Sequence, residues 1–129
     1  MRYGLLISFL IAFAINGSGE NLSCARFYER MNESEDAVIL DTRICEDFKT
    51  GRIPGALYAG EKKVLLKLVS EMDQDRPLFI YCDYGDRSET VVDILKKEGF
   101  RNRFHLKEGF DEWREKGFPV DDHSMEKCK

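Results

Sequence analysis

The sequence predicts an α/β fold in which a mainly parallel sheet of about five strands is covered by helices on both faces. Three observations lead there. The continuous apolar runs Val38-Ile39-Leu40 and Leu78-Phe79-Ile80-Tyr81 have the length of strands and the character of strands buried on both faces. They alternate with stretches of helical periodicity, such as Val64, Leu65, Leu68 and Met72. The 129 residues suffice for one hydrophobic core and not for two.

Taken in order, the chain opens with Arg2, an apolar run from Tyr3 to Ile15, and the small residues Gly17-Ser18-Gly19. That pattern reads as a secretory signal peptide over residues 1–19, followed by a single domain over 20–129. The apolar run is shorter than the roughly 20 residues of a spanning helix, so a cleaved signal is preferred to a retained anchor. After Asn21, Leu22 is expected in a very short strand and Ala25 to Asn32 in a helix. Val38 to Leu40 form the next strand, and Asp41 stands at its carboxyl end, the edge where open α/β sheets bind ligands. A short helix begins at Glu46, and Gly51 is expected to end it in a left-handed conformation. Arg52, near the surface, leads into a Pro54-Gly55 turn and a strand over Ala56 to Tyr58. Glu61 to Met72 read as a helix, Leu78 to Tyr81 as a strand and Ser88 to Glu98 as a helix stopped at Gly99. The last strand is Arg103 to Leu106, with Arg103 at an exposed end and His105 a sheet residue. Phe110 to Lys116 form a closing helix that offers Trp113 to the core. Asp121 to Lys129 are charged and fray unless Cys128 ties them down.

One stretch carries most of the chemistry. Strand Leu78–Tyr81 delivers Cys82 to a short polar turn, Asp83-Tyr84-Gly85-Asp86-Arg87, and the chain then enters a helix at Ser88. Backbone N–H groups in such a turn converge into an anion nest, and the helix behind adds its own free N–H groups and positive dipole end. A thiolate placed there is stabilised, and the thiolate is the reactive form. Gly85 suits a tight inward loop, and Ser88 suits a helix cap. Arg87 offers a planar fork for an anionic donor or a carboxylate.

These residues resemble a known family. Cys82-x-x-Gly85-x-Arg87-Ser88 after a buried strand is similar to the active-site loop of the single-domain rhodaneses, which transfer sulfur from thiosulfate or persulfides. Asp41-x-Arg43, the segment Gly51-Arg52-Ile53-Pro54-Gly55-Ala56, and Leu106-x-x-Gly109-Phe110-x-x-Trp113 match further motifs of that family in the same order. The likeness runs from about Leu22 to Val120, with Arg52 standing where the family usually has His. It implies a rhodanese-like three-layer fold, a catalytic Cys82, donor contacts from Asp83, Tyr84, Gly85, Asp86, Arg87 and Ser88, and supporting roles for Asp41 and Arg43 at the site's rim.

The implied reaction is a double displacement. Cys82 takes the outer sulfur of thiosulfate or a persulfide donor and yields it to cyanide or to a thiol acceptor, small or carried on a protein. No cofactor is implied. Asp83 and Asp86 put two negative charges beside a site meant for an anion, and Arg87 cancels one, so a less charged persulfide is expected to outperform thiosulfate. A non-catalytic sulfur-carrier or binding module remains the main alternative. A cysteine phosphatase or arsenate reductase fits less well, because four residues separate Cys82 from Arg87 where those enzymes have five.

Composition narrows the partners. Hydrophobic residues make up 43% and charged residues 34% of the chain, and the formal net charge is −4 with basic and acidic residues interspersed, which leaves no footprint for nucleic acid. Four cysteines without a Cys-x-x-Cys pair or clustered His argue against a metal site. The signal peptide places the domain in the periplasm or outside the cell, with no membrane span left after processing. Oxidising compartments favour disulfides. Cys24 and Cys128, near opposite ends of the domain, are the first pair to expect because domain termini often lie close together, although spacing alone does not fix connectivity. Cys82 must stay free, and Cys45 reads as a bystander, a packed small residue or a resolving thiol.

Overall fold

The structure, a computed structural model, describes residues 19–128; the expected signal peptide, Gly19 apart, lies outside the described residues. Five strands form one sheet: β1 (Glu20–Leu22), β2 (Val38–Asp41), β3 (Leu57–Tyr58), β4 (Leu78–Tyr81) and β5 (Arg103–Leu106). Their spatial order is β1-β5-β4-β2-β3, and every pairing is parallel. The five helices are α1 (Cys24–Glu33), α2 (Cys45–Thr50), α3 (Lys62–Val69), α4 (Asp86–Lys97) and α5 (Gly109–Glu115).

The central strands are apolar on both faces because each face carries its own helix layer. Ile39, Phe79, Tyr81, Phe104 and Leu106 point to one side, where they pack with Phe27 of α1, Phe48 of α2, and Phe110 and Trp113 of α5. Val38, Leu40, Leu78 and Ile80 point to the other and meet Leu65 and Val69 of α3 and Leu95 of α4. Burying each of these large side chains contributes about 1.5–3 kcal/mol. Ser23 caps α1 by accepting from the Arg26 amide at 3.3 Å. The positive φ of Gly99, 90°, lets the chain turn back after α4.

Several expectations need correction. Gly51 has φ 171°, which is extended backbone, so no left-handed residue ends α2. Helix α3 stops at Val69, short of Met72, where the Ser70 hydroxyl donates to the Lys67 carbonyl at 2.8 Å. Arg52 is buried; its guanidinium bonds the carbonyls of Phe48 (2.9 Å), Lys49 (3.1 Å) and His123 (2.5 Å) and the Asp121 carboxylate (2.9 Å). It therefore closes α2 and fastens the tail, roles that a surface residue would not have. Arg103 is also buried, its Nη1 donating to the Phe100 carbonyl.

The cysteine pairing differs too. Cys45 and Cys128 form a disulfide across 83 residues, whereas Cys24 is a free, fully buried thiol at the start of α1. Burial, with Glu108 nearby, pushes the Cys24 pKa up to about 11, so it behaves as a small core side chain. The tail is held by this disulfide, by the Arg52–Asp121 bridge and by the Met125 amide on the Lys49 carbonyl at 3.0 Å.

Candidate active site

Strands β2 and β4 lie side by side and end together, which brings Asp41 and Cys82 to the same carboxyl edge. Past β4 the chain turns through Gly85, at φ 93°, directly into α4. Glycine is required there twice over: the conformation disfavours side chains, and a Cβ would collide with the backbone carbonyl of Lys107. Gly109, at φ 81°, is squeezed in the same way against the Asp83 carbonyl. These close approaches let the Phe110 amide bond the Cys82 carbonyl at 2.8 Å and the Asp111 amide bond the Asp83 carbonyl at 3.2 Å. The loop is thus fixed from below by the segment that follows β5.

The turn folds its N–H groups inward onto the sulfur. The Gly85 amide lies 3.1 Å from Cys82 Sγ, the Ser88 amide 3.3 Å and the Ser88 hydroxyl 3.2 Å. Cys82 carries no disulfide. Although only 2% exposed, it forms the floor of an open cleft of about 350 Å³ whose walls include Ile44, Asp83, Tyr84, Asp86 and Arg87. Three donors at a sulfur stabilise its anion more than its neutral form, the electrostatic arrangement a nucleophile needs.

The other expected residues divide by position. Ser88 does not cap α4; it lies inside the first turn, buried, with its hydroxyl between Cys82 Sγ and His105 Nε2. Asp86 places a carboxylate oxygen 3.9 Å from the sulfur. Arg87 is exposed at the mouth and, among the described residues, has no ion-pair partner. Tyr84 projects into solvent, 72% exposed. Asp83 faces Arg43 across 3.9 Å; burial raises its pKa, while Arg43 pulls the other way.

Asp41 and Arg43 lie beneath the loop. Asp41 takes Arg43 Nη2 at 2.7 Å, Arg43 Nε at 3.0 Å and the Tyr81 hydroxyl at 2.6 Å, and Arg43 Nη2 also donates to the Gly51 carbonyl at 2.6 Å. Burial works against the Arg43 charge, but the bonds and charge of Asp41 outweigh it and the pKa is raised. Burial, reinforced by Asp41, holds the Tyr81 hydroxyl well above its ordinary pKa, so it remains a donor. The Thr42 amide and hydroxyl both bond the Tyr81 carbonyl at 2.9 Å, tying β2 to the start of the cysteine loop.

Sequence reasoning passed over two residues that the structure brings to the site. His105 Nε2 lies 2.6 Å from the Ser88 hydroxyl, and its Nδ1 lies 2.8 Å from Asn21 Oδ1. The strand alternation that sends Phe104 and Leu106 to one face sends His105 to the face covered by α4, and that alternation was the available signal. Among the described residues no group of three or more His, Cys, Asp or Glu is arranged to hold a metal ion, and no helix is long and apolar enough to cross a membrane.

A parallel five-stranded sheet that presents a thiol in a nest of amides defines a class of cysteine-loop domains, and comparison with known proteins identifies the member. The chain belongs to the rhodanese-like domain family, which it matches over residues 23–116. It is 31% identical over 86 residues to the thiosulfate sulfurtransferase GlpE of Shewanella oneidensis, covering 67% of this chain and 84% of that protein. It is 28% identical over 92 residues to the putative sulfur carrier protein YrkF of Bacillus subtilis, covering 71% of this chain and 49% of that one. Among solved structures, a rhodanese-like domain protein from Staphylococcus aureus superposes with a TM-score of 0.65 at 22% identity, over 79% of this chain and 98% of that one.

Proposed function

We propose that the protein is a sulfurtransferase that carries sulfane sulfur on Cys82. The observation that carries the reading is the convergence of the Gly85 amide, the Ser88 amide and the Ser88 hydroxyl on a free Sγ within 3.3 Å. The Cys82 thiolate attacks the outer sulfur of the donor. A new S–S bond forms as the donor's own S–S bond breaks, and sulfite or a thiolate leaves with the electron pair. An acceptor thiolate or cyanide then attacks the outer sulfur of the persulfide, and Cys82 departs as thiolate into the same nest.

The acidic rim directs the donor choice. Asp86 lies 3.9 Å from the sulfur, and Arg87 is the basic side chain that shares the cleft wall. A persulfide donor is therefore preferred to the thiosulfate dianion. A family relative described as a putative sulfur carrier supports a second reading, in which Cys82 takes up sulfur from a donor but yields it only to a protein partner. The disulfide between Cys45 and Cys128 supports an exported, oxidising location, in keeping with the signal peptide read at residues 1–19.

Mass spectrometry of the Cys82 peptide after treatment with thiosulfate or glutathione persulfide tests the reading, followed by a cyanide turnover assay. One added sulfur in the wild type and none in Cys82→Ser is expected. Turnover to thiocyanate marks the enzyme, and loading without turnover marks the carrier. A Cys82 peptide that gains no sulfur from either donor overturns both.

A further inference from the structure

The Ser88 hydroxyl has one proton and three acceptors around it, of which the Gly85 carbonyl, at 3.4 Å, is the most distant. Its oxygen lies 3.2 Å from Cys82 Sγ and 2.6 Å from His105 Nε2. On the ring's other side, Nδ1 meets Asn21 Oδ1 at 2.8 Å. An amide oxygen only accepts, so Nδ1 carries the ring hydrogen and Nε2 is left as an acceptor aimed at Ser88. The four side chains form one line, from the sulfur at the cleft floor, through α4 and β5, to the edge strand β1.

We propose that His105 is the proton acceptor for Cys82, reached through the Ser88 hydroxyl and held in the accepting tautomer by Asn21. The proposal rests on the sulfur-transfer reading for its purpose, since an attacking Cys82 must first lose a proton. In the resting state the thiol donates to Ser88 Oγ and the hydroxyl donates to Nε2. On activation the S–H bond breaks as a proton joins Oγ, and the original O–H bond breaks as that proton joins Nε2. The hydroxyl then donates to the thiolate, and the imidazolium donates to the hydroxyl. One proton has moved from sulfur to nitrogen, and nothing is oxidised or reduced. Sulfur keeps the two amides that face it, so the new charge is not left bare.

The surroundings suit a ring that is neutral at rest and charges on demand. Burial pushes the His105 pKa below its ordinary value, while the Gly85 carbonyl and the Glu89 carboxylate favour the cation. On the side away from the sulfur the ring borders a second cleft of about 230 Å³. The charged groups facing it there are Glu89, Asp93 and Lys96 from α4, Glu20 from β1 and Arg103 from its own strand, three acidic against two basic. His105 touches neither reacting sulfur, so it is a positioning residue that acts through Ser88.

The test is the rate of Cys82 alkylation by iodoacetamide as a function of pH, read by peptide mass in the wild type, His105→Gln, Ser88→Ala and the double variant. His105→Gln keeps a hydrogen-bonding side chain within reach of Ser88 and removes the base. Its half-maximal rate is expected about one pH unit higher, with a rate at pH 7 about tenfold lower. The double variant should fall no further than Ser88→Ala alone, because one broken link already interrupts the chain. A His105→Gln profile that overlays the wild type overturns the proposal, as does full additivity in the double variant. If His105→Gln does not fold, His105→Asn is read against the same outcomes. Persulfide loading of the wild type is scored separately. Loading with an unchanged His105→Gln profile sinks the relay and leaves sulfur transfer standing; a shifted profile without loading does the reverse.

Discussion

Arg43 and Asp41, two residues apart at the end of β2, form a buried ion pair in which Nε and Nη2 reach the carboxylate at 3.0 and 2.7 Å. The Arg43 guanidinium also lies over the Phe110 ring, 4.2 Å from its centroid. The pair thereby joins β2 to the helix that underlies the cysteine loop. Its contribution is positional: a buried pair adds little net stability over an apolar substitute for both partners, but removing one partner strands the other.

Arg43→Met is accordingly expected to cost about 3–5 kcal/mol, because it leaves the Asp41 carboxylate buried and uncompensated. Urea unfolding of the purified domain measures it. A loss below about 1 kcal/mol, the range of exposed surface pairs, would contradict this account.

Gly85→Ala should disable the loop before it unfolds the domain. The residue sits at φ 93° with the Lys107 carbonyl in the place a Cβ would occupy. A change incompatible with its backbone conformation costs about 1–3 kcal/mol, and here the strain is relieved by shifting an amide away from Cys82 Sγ. Persulfide loading is expected to fall more steeply than the unfolding midpoint; equal loading in the two proteins would show that this amide is dispensable.

Asp86→Asn bears on donor choice. A unit charge at about 4 Å in a water-exposed site is worth about 1 kcal/mol, or about fivefold in rate. Thiosulfate turnover should rise by that factor, and turnover of a neutral persulfide ester should stay nearly constant. Identical thiosulfate rates in the two proteins would remove the acidic rim from the account.

Parts of this architecture could be read from residues alone because the cues are local. The apolar run at β4, the turn and the periodicity of Val91, Val92 and Leu95 all lie within a few positions of Cys82, and strand β5 falls on the four residues expected. What escaped depends on distant partners. Arg52 reads as a surface substitution until its guanidinium is seen bridging the end of α2 to Asp121. Nothing in the spacing of Cys24, Cys45 and Cys128 reveals that Cys24 faces the core while Cys45 opens a helix beside the tail. His105 was placed correctly in its strand, yet its role depends on Ser88 lying beneath it on α4, 17 residues earlier. Ser88 itself shows the limit of a local rule: a serine at a helix start suggests a cap, and here the hydroxyl lies between the sulfur and an imidazole.

The disulfide invites its own measurement. Closing a loop of 83 residues restricts the unfolded chain, and Cys128→Ser is expected to lower stability by about 2–4 kcal/mol while leaving persulfide loading of Cys82 intact. In the native wild type, iodoacetamide at neutral pH should label Cys82 and spare Cys24, whose burial holds its pKa up at about 11. Labelling of Cys24 without unfolding, or a mapped bond from Cys24 to Cys128, would reject the observed pairing.

The last prediction concerns acid. His105 has a folded-state pKa below its unfolded value of 6.5, chiefly because burial disfavours the imidazolium. The unfolded chain therefore takes up the proton more readily, so the stability associated with the neutral ring is fully present above pH 6.5 and is lost as pH falls through the folded pKa. Asp83 has the opposite sign, since burial raises its pKa, but it is present in both proteins and cancels in their comparison. Between pH 7.5 and 5.5 the wild type should lose up to about 1.4 kcal/mol more than His105→Gln in urea unfolding. Parallel losses in the two proteins would mean that the ring is not held neutral. The resting hydrogen-bond order from thiol to serine to imidazole would then lose its acceptor.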